Sequence, residues 1–276
     1  MLCYSTGSLP DALSLPAISD LLTNTPFTGV ELTVTPSMLA RAADAGYWNG
    51  IRDLFLEKGL AFRNVHLGTP YLLGPEPHRP GLSSLDPADR AAKASACVAC
   101  MHIAVALGSP HLTFTSGLTE SEATHARQDA AFREALQGLV AIKPATLKLL
   151  IEQEPEHVIR SVEQLAALGL AFPGAVFATF DVGHSAVMGE DIAACIRRLG
   201  PLLRNLHLED IQGRVHAHKL YGEGDIDFTP VFRALREIGY QGDFTPDLYP
   251  FKNEPERAMR ASEAFLRSHG VLTRAL

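Results

Sequence analysis

The sequence predicts an α/β protein built as a single (β/α)8 TIM barrel, with one domain over residues 1–276. Three observations carry that expectation. Eight short strand-type runs alternate with eight longer helical patterns along the whole chain. The length of 276 residues is close to what one such barrel uses, about 250. No GxGxxG or GxxxxGKS/T loop occurs, and Thr6-Gly7-Ser8 stands where a phosphate loop would follow the first strand. That absence argues against a doubly wound open sheet and against a nucleotide cofactor.

In chain order, strands are expected at Leu2–Thr6, Gly29–Thr33, Ala61–Leu67, His111–Thr115, Leu147–Glu152, Val176–Asp181, Leu203–Leu208 and Asp243–Leu248. Helices are expected near 14–24, 37–58, 87–108, 120–141, 156–169, 190–200, 230–238 and 255–269. Asp86-Pro87 and Thr229-Pro230 each pair an N-cap side chain with a proline, whose missing N–H is harmless in a first helical turn. Gly59, Gly108, Gly169, Gly239 and Gly270 each close a helical pattern, the usual place for a left-handed residue. Gly68 to Leu85 is irregular and rich in Pro and Gly, and reads as a functional loop rather than a linker. Cys97-Val-Ala-Cys100 has redox-motif spacing, but it lies inside the alanine-rich run Arg90 to Leu107 with no second pair to complete a zinc site. Both thiols read as small core residues.

Hydrophobic residues make up 46% and charged residues 20%, which excludes a disordered, collagen-like or disulfide-scaffold chain. A net charge of -7 gives no overall field that attracts polyanions, so nucleic acid is disfavoured as a partner. Met1 to Pro10 lacks the basic and apolar regions of a secretory leader, and the apolar stretch Cys97 to Leu107 is too short to span a bilayer. No membrane association and a reducing, cytoplasmic location are the expectations.

Side chains alternate faces along a strand, so inward and outward residues separate by parity. Val30 and Leu32 oppose Glu31, Val65 and Leu67 oppose His66, and Leu149 and Ile151 oppose Glu152. Phe180 and Val182 oppose Asp181, Leu206 and Leu208 flank His207, and Phe244 and Leu248 oppose Asp247. The apolar set is expected to pack on the helices, and the polar set to face the barrel axis near the C-terminal strand ends, where barrel enzymes build their sites. Carboxylates and imidazoles that converge there repel or stay unsatisfied without a cation. Mixed oxygen and nitrogen donors suit one divalent ion of the Mn, Mg, Co or Zn kind.

At these residues the chain resembles the xylose isomerase-like barrel superfamily, which holds the sugar phosphate isomerases and epimerases and the family 2 (endonuclease IV-type) apurinic endonucleases. The motifs are Phe180-Asp181-Val182-Gly183-His184, Leu206-His207-Leu208-Glu209-Asp210 and Gly222-Glu223-Gly224-Asp225-Ile226-Asp227-Phe228, with weaker support from Gly29-Val30-Glu31-Leu32 and Asp247-Leu248-Tyr249-Pro250. The resemblance implies a metal on Glu152, Asp181, His207 and Asp247, with Glu152 and Asp247 as paired bases and His184 facing the substrate's oxygens. His66, Glu31, His218 and Lys219 are expected to touch substrate. His218 matches a histidine that binds a second metal in the endonuclease branch, and His216 stands where that branch has aspartate. Two departures stand out. Asp247 replaces the usual glutamate, and Thr115-Ser116-Gly117 occupies the stretch where the endonucleases carry a histidine.

The implied activity is a metal-dependent isomerase or epimerase, or a related dehydratase, that removes a proton alpha to the carbonyl of a small polyhydroxy compound such as a sugar, sugar phosphate or keto-inositol. Phosphodiester hydrolysis at abasic DNA and a non-catalytic barrel are the alternatives, and association into a homo-oligomer is compatible with the fold. Glu154 shares the parity of Glu152 but follows the strand end before Pro155, so Glu152 is preferred as the ligand. His78, His102, His111, His125, His157 and His269 lack motif context and read as structural or exposed.

Overall fold

The computed structural model describes residues 1–272. Its strands are β1 (Cys3–Ser5), β2 (Gly29–Thr33), β3 (Ala61–Leu67), β4 (His111–Thr115), β5 (Lys148–Glu152), β6 (Val176–Asp181), β7 (Leu203–Leu208), β8 (Asp210–Gln212), β9 (Val215–Lys219) and β10 (Asp243–Pro246). Eight of them form one sheet in the order β1-β2-β3-β4-β5-β6-β7-β10. Each neighbouring pair is parallel. A parallel bridge between Leu2 and Phe244 closes the ring, and the Phe244 amide donates to the Met1 carbonyl at 2.9 Å. The expected (β/α)8 barrel is therefore the fold.

The helices are α1 (Leu15–Leu22), α2 (Pro36–Ala40), α3 (Ala45–Glu57), α4 (Pro87–Leu107), α5 (His125–Ile142), α6 (Val162–Ala171), α7 (Val182–Met188), α8 (Ile192–Leu199), α9 (Phe228–Glu237) and α10 (Pro255–Ser268). The outward strand residues Val30, Leu32, Val65, Phe114, Ile151, Phe180 and Leu206 are fully buried under this layer. Each such side chain contributes about 1.5–3 kcal/mol through the apolar surface it removes from water. Helix α4 is the one helix among the described residues long and apolar enough to cross a membrane. Here it is a crossover helix that buries Cys97, Cys100, Ile103, Ala104 and Leu107 against the barrel. All four cysteines are free and buried.

Several boundaries differ from expectation. The helix expected over 37–58 is two, because Asp44 caps a fresh start by accepting from the Tyr47 amide at 3.0 Å. Asp86 caps α4 as expected, but α9 is capped by Asp227 rather than Thr229, its carboxylate accepting from the Thr229 amide at 2.9 Å. Gly169 lies inside α6 instead of closing it, and a Cβ there would stand 2.5 Å from the Leu202 side chain. Two further elements went unforeseen. Helix α7 starts directly off β6, and β8 and β9 pair antiparallel as a hairpin outside the barrel sheet.

Inside the barrel lies a tier of polar side chains. Asn64 donates to Glu31 at 2.7 Å and to Thr113 at 2.8 Å, and Thr113 and Thr179 share a bond of 2.7 Å. Asn205 donates to Glu31 at 3.0 Å and accepts from Thr245 at 2.9 Å. This network is the floor on which the mouth of the barrel is built.

Candidate active site

The C-terminal ends of the strands open into a cleft of about 1060 Å³. His66, Glu152, Glu154, His184, His218 and Asp247 are among the residues that line it, together with Leu13, Met38, Tyr47 and Leu72. Parity therefore assigned the inward residues well. Glu31, His66, Glu152, Asp181 and His207 all face the interior, and Asp247 follows immediately on β10, its amide bonded to the Leu208 carbonyl at 3.0 Å.

Asp181 holds two positions at once. As the N-cap of α7, its Oδ1 accepts from the amides of Gly183 at 2.6 Å and His184 at 3.1 Å. Its Oδ2 is buried without a partner. That orphaned oxygen sits among donor atoms, since Asp181, His207 and Asp247 each offer one within 4.8 Å of the others, as do Glu152, Asp181 and His184. Asp181 is thus common to two donor groups, which between them include the four expected ligands. A buried anionic oxygen with no hydrogen-bond donor is costly, and three carboxylates with one imidazole form a donor set suited to a divalent ion. The residues fit the expected metal.

His207 is clamped from both sides. Its Nε2 lies 2.9 Å from Glu31 and its Nδ1 2.8 Å from Glu152. Burial alone would strip its proton, but the two carboxylates outweigh burial and hold the imidazole well above its ordinary range. Glu31 fixes the ring through Nε2, the arrangement by which a carboxylate orients an imidazole for metal binding through its other nitrogen. Serving as a ligand requires Nδ1 to lose its proton, so binding there is linked to pH. Glu152 has its second oxygen 3.0 Å from His66 Nε2. Despite burial, His207 and His66 keep its carboxyl well below the usual range. Asp247 is displaced the other way, pushed up by burial and by the nearby charges of Asp181 and Glu152 against the pull of His218 and His207.

His184 is held by a bond from Nδ1 to the Gln153 carbonyl at 2.7 Å, which leaves Nε2 to the cleft. Burial opposes its charge, yet Asp181, Glu154 and Glu152 raise it to about 9. It is joined by His216 and His218 from β9, with ring centroids 4.6 Å and 6.3 Å away. Between them stands Glu209, a residue sequence reasoning passed over. Its carboxylate is fully buried with both oxygens unpartnered, one lying 2.7 Å from His218 Nδ1 without the alignment of a hydrogen bond. Burial and the charges of Asp181 and Asp247 push it well above the ordinary carboxylate range. Glu209 shares the parity of His207, which was the signal available for it.

Two expected substrate contacts lie elsewhere. The Lys219 ammonium bonds Gln212 at 2.7 Å across the hairpin and is absent from the cleft wall. Glu31 is 1% exposed and lies beneath His207, where it supports the site rather than meeting a ligand. The Gly222–Phe228 motif is a support as well. The Asp210 carboxylate accepts from the amides of Gly222 at 2.8 Å, Gly224 at 3.0 Å and Ile226 at 3.2 Å. A Cβ on Gly224 would stand 2.3 Å from Asp210 Oδ1, so this close approach requires glycine.

Residues 20–269 match the family described as "Xylose isomerase-like TIM barrel". Among curated relatives, an inosose dehydratase of Clostridium perfringens is 30% identical over 128 residues, 40% of this chain and 43% of that protein. A fructoselysine 3-epimerase of Escherichia coli O157:H7 is 31% identical over 121 residues, 43% of this chain and 44% of that protein. The matched stretches thus span less than half the length of these relatives. Among solved structures, the IolI protein with a bound zinc atom superposes at TM-score 0.80 with 16% identity, covering 97% of each chain. A D-tagatose 3-epimerase-like protein superposes at 0.78 with 19% identity, over 97% of this chain and 96% of that one. At such identities the structural likeness shows the fold.

Proposed function

The chain belongs to the xylose isomerase-like TIM barrel family, and from that premise we propose that it is a divalent-metal-dependent sugar isomerase or epimerase, or a closely related dehydratase, acting on a small polyhydroxy carbonyl compound. The observation that carries this reading is the orphaned oxygen of Asp181, the residue common to the Asp181–His207–Asp247 and Glu152–Asp181–His184 donor groups, with Glu152 and Asp247 lining the cleft. A divalent ion bound by these four residues supplies the Lewis acidity that polarises a carbonyl and steadies charge developing on its oxygen.

The chain's own residues divide the remaining work. Glu152, at the end of β5, and Asp247, just past β10, both line the cleft. One of these carboxylates would accept the proton alpha to the carbonyl and the other return one. His66 positions Glu152 through its 3.0 Å contact. His184, fixed through Nδ1 to the Gln153 carbonyl, presents Nε2 to a substrate oxygen. Return of the proton to the same carbon gives epimerisation, and loss of a neighbouring hydroxyl gives dehydration. The names of the partial relatives, a dehydratase and a 3-epimerase, fit both outcomes. At strand four, Ser116 is buried and accepts from the Ile159 amide at 2.9 Å, so no imidazole completes an endonuclease-type site there.

The test is proton exchange. Protein stripped with chelator and reloaded with Mn2+, Co2+ or Zn2+ is incubated in D2O with a panel of ketohexoses and a keto-inositol, and deuterium alpha to the carbonyl is followed by NMR. The expected result is metal-dependent incorporation that is lost in Glu152→Gln. No exchange on any compound, together with nicking of an abasic duplex by the loaded protein, would sink the proposal.

A further inference from the structure

A second group of donors, outside the four expected ligands, stands in another wall of the cleft. His78 comes from the Gly68–Leu85 segment, and Glu154 and His157 come from the turn after β5. Each offers a donor atom within 4.8 Å of the other two. The rings of His78 and His157 meet edge to face, with centroids 4.9 Å apart. His157 is 1% exposed, and neither of its ring nitrogens has a partner. An imidazole buried with both nitrogens unsatisfied is costly, and no described residue supplies the missing bonds.

The local backbone strengthens the point. His78 has φ 56° and, beside His157, Glu156 has φ 67°, left-handed conformations that residues other than glycine seldom adopt. Two loops are thus bent to aim three donors at one point. Burial, with the Lys93 ammonium nearby, holds both imidazoles below their ordinary range and so unprotonated, the form in which imidazole binds a metal. His78 and Glu154 face the cleft, and His157 lies behind them.

We propose that His78, Glu154 and His157 form a second metal site, a two-histidine, one-carboxylate set for a zinc-class divalent ion with a coordination position open to the cleft. An ion there clasps the Gly68–Leu85 segment to the β5–α6 turn and so fixes that wall of the cleft. It also provides an electrophile separate from the Asp181 group, suited to a second oxygen donor on a bound molecule.

Metal counting tests this independently of turnover. Chelator-stripped protein is titrated with Co2+, and the tightly bound ion is measured after gel filtration. The unaltered chain is expected to hold one equivalent more than the His78→Ala/His157→Ala double variant, and Asp181→Asn is expected to keep that equivalent. Equal counts in the unaltered chain and the double variant overturn the proposal. If circular dichroism shows the double variant unfolded, His78→Gln is measured instead. The expected result is a loss of at least tenfold in affinity for one equivalent, and unchanged affinity overturns the site.

Discussion

In the middle of the barrel Asn64, Thr113, Thr179, Asn205 and Thr245 bond to one another and to Glu31, and none of their side-chain atoms is left without a partner. Nearer the mouth, Asp181, Glu209 and His157 each keep buried polar atoms unpaired. Both regions are polar, buried and built on the same strands or the turns that follow them. The difference lies in completeness. A closed network stabilises and specifies the fold, whereas an open one is held in place by the first and waits for something from outside. Burial and polarity alone do not mark a site.

The sharpest way to break this contrast is to remove one member from each region. Asp181→Asn keeps a side chain able to cap α7 but loses the charge. It is expected to lower kcat/KM by about 10³-fold or more, while the melting temperature stays close to that of the unaltered chain because the cap on α7 is kept. Asn205→Leu should do the reverse, costing about 2–4 kcal/mol in denaturant melts by orphaning Thr245 and removing one of the three bonds to Glu31, with kcat of the folded fraction within about tenfold. If both variants lose stability alike, the two regions are not different in kind.

Protons sharpen the comparison further, because Glu31 and His207 join the two regions. Glu31 is buried, which raises its carboxyl, yet His207, His66 and Asn64 outweigh burial and bring it from 4.5 to about 2. Its contribution is therefore present above pH 4.5 and lost as pH falls through about 2. His207 is displaced upward from 6.5, so its contribution is present below that pH and lost as pH rises through its higher folded value. In chelator-stripped protein, Glu31→Gln should remove much of the acid limb below pH 4.5. An acid limb identical in the two proteins contradicts the clamp on His207. The smallest effect is expected at Lys219→Ala. Its ammonium bonds Gln212, away from the cleft, so kcat/KM should change by less than about twofold and stability by less than about 0.5 kcal/mol.

Much of this was legible in the residues. Strand alternation has period two whatever the tertiary context, so Glu31, His66, Glu152, Asp181 and His207 could be aimed inward before any coordinates. The same rule, carried past the strand ends, would have reached Glu209 from His207. Within β9 it would have put Lys219 on the face opposite His216 and His218. What it cannot reach is the meeting of His78 with His157, which depends on how two irregular loops lie against each other and leaves no periodic trace. Asp44 hid its helix break for a related reason. The apolar spacing runs on through 37–58, and only the capping bond to Tyr47 marks the restart.

The β8–β9 hairpin carries one last consequence. It pairs only with itself, yet it delivers two imidazoles to the rim, and the loop that follows is secured by the Asp210 carboxylate's hold on three amides. No barrel ladder needs re-registering if that ribbon is exchanged for another. Divergence can then proceed by cassette, with new rim chemistry fitted to an unchanged cylinder.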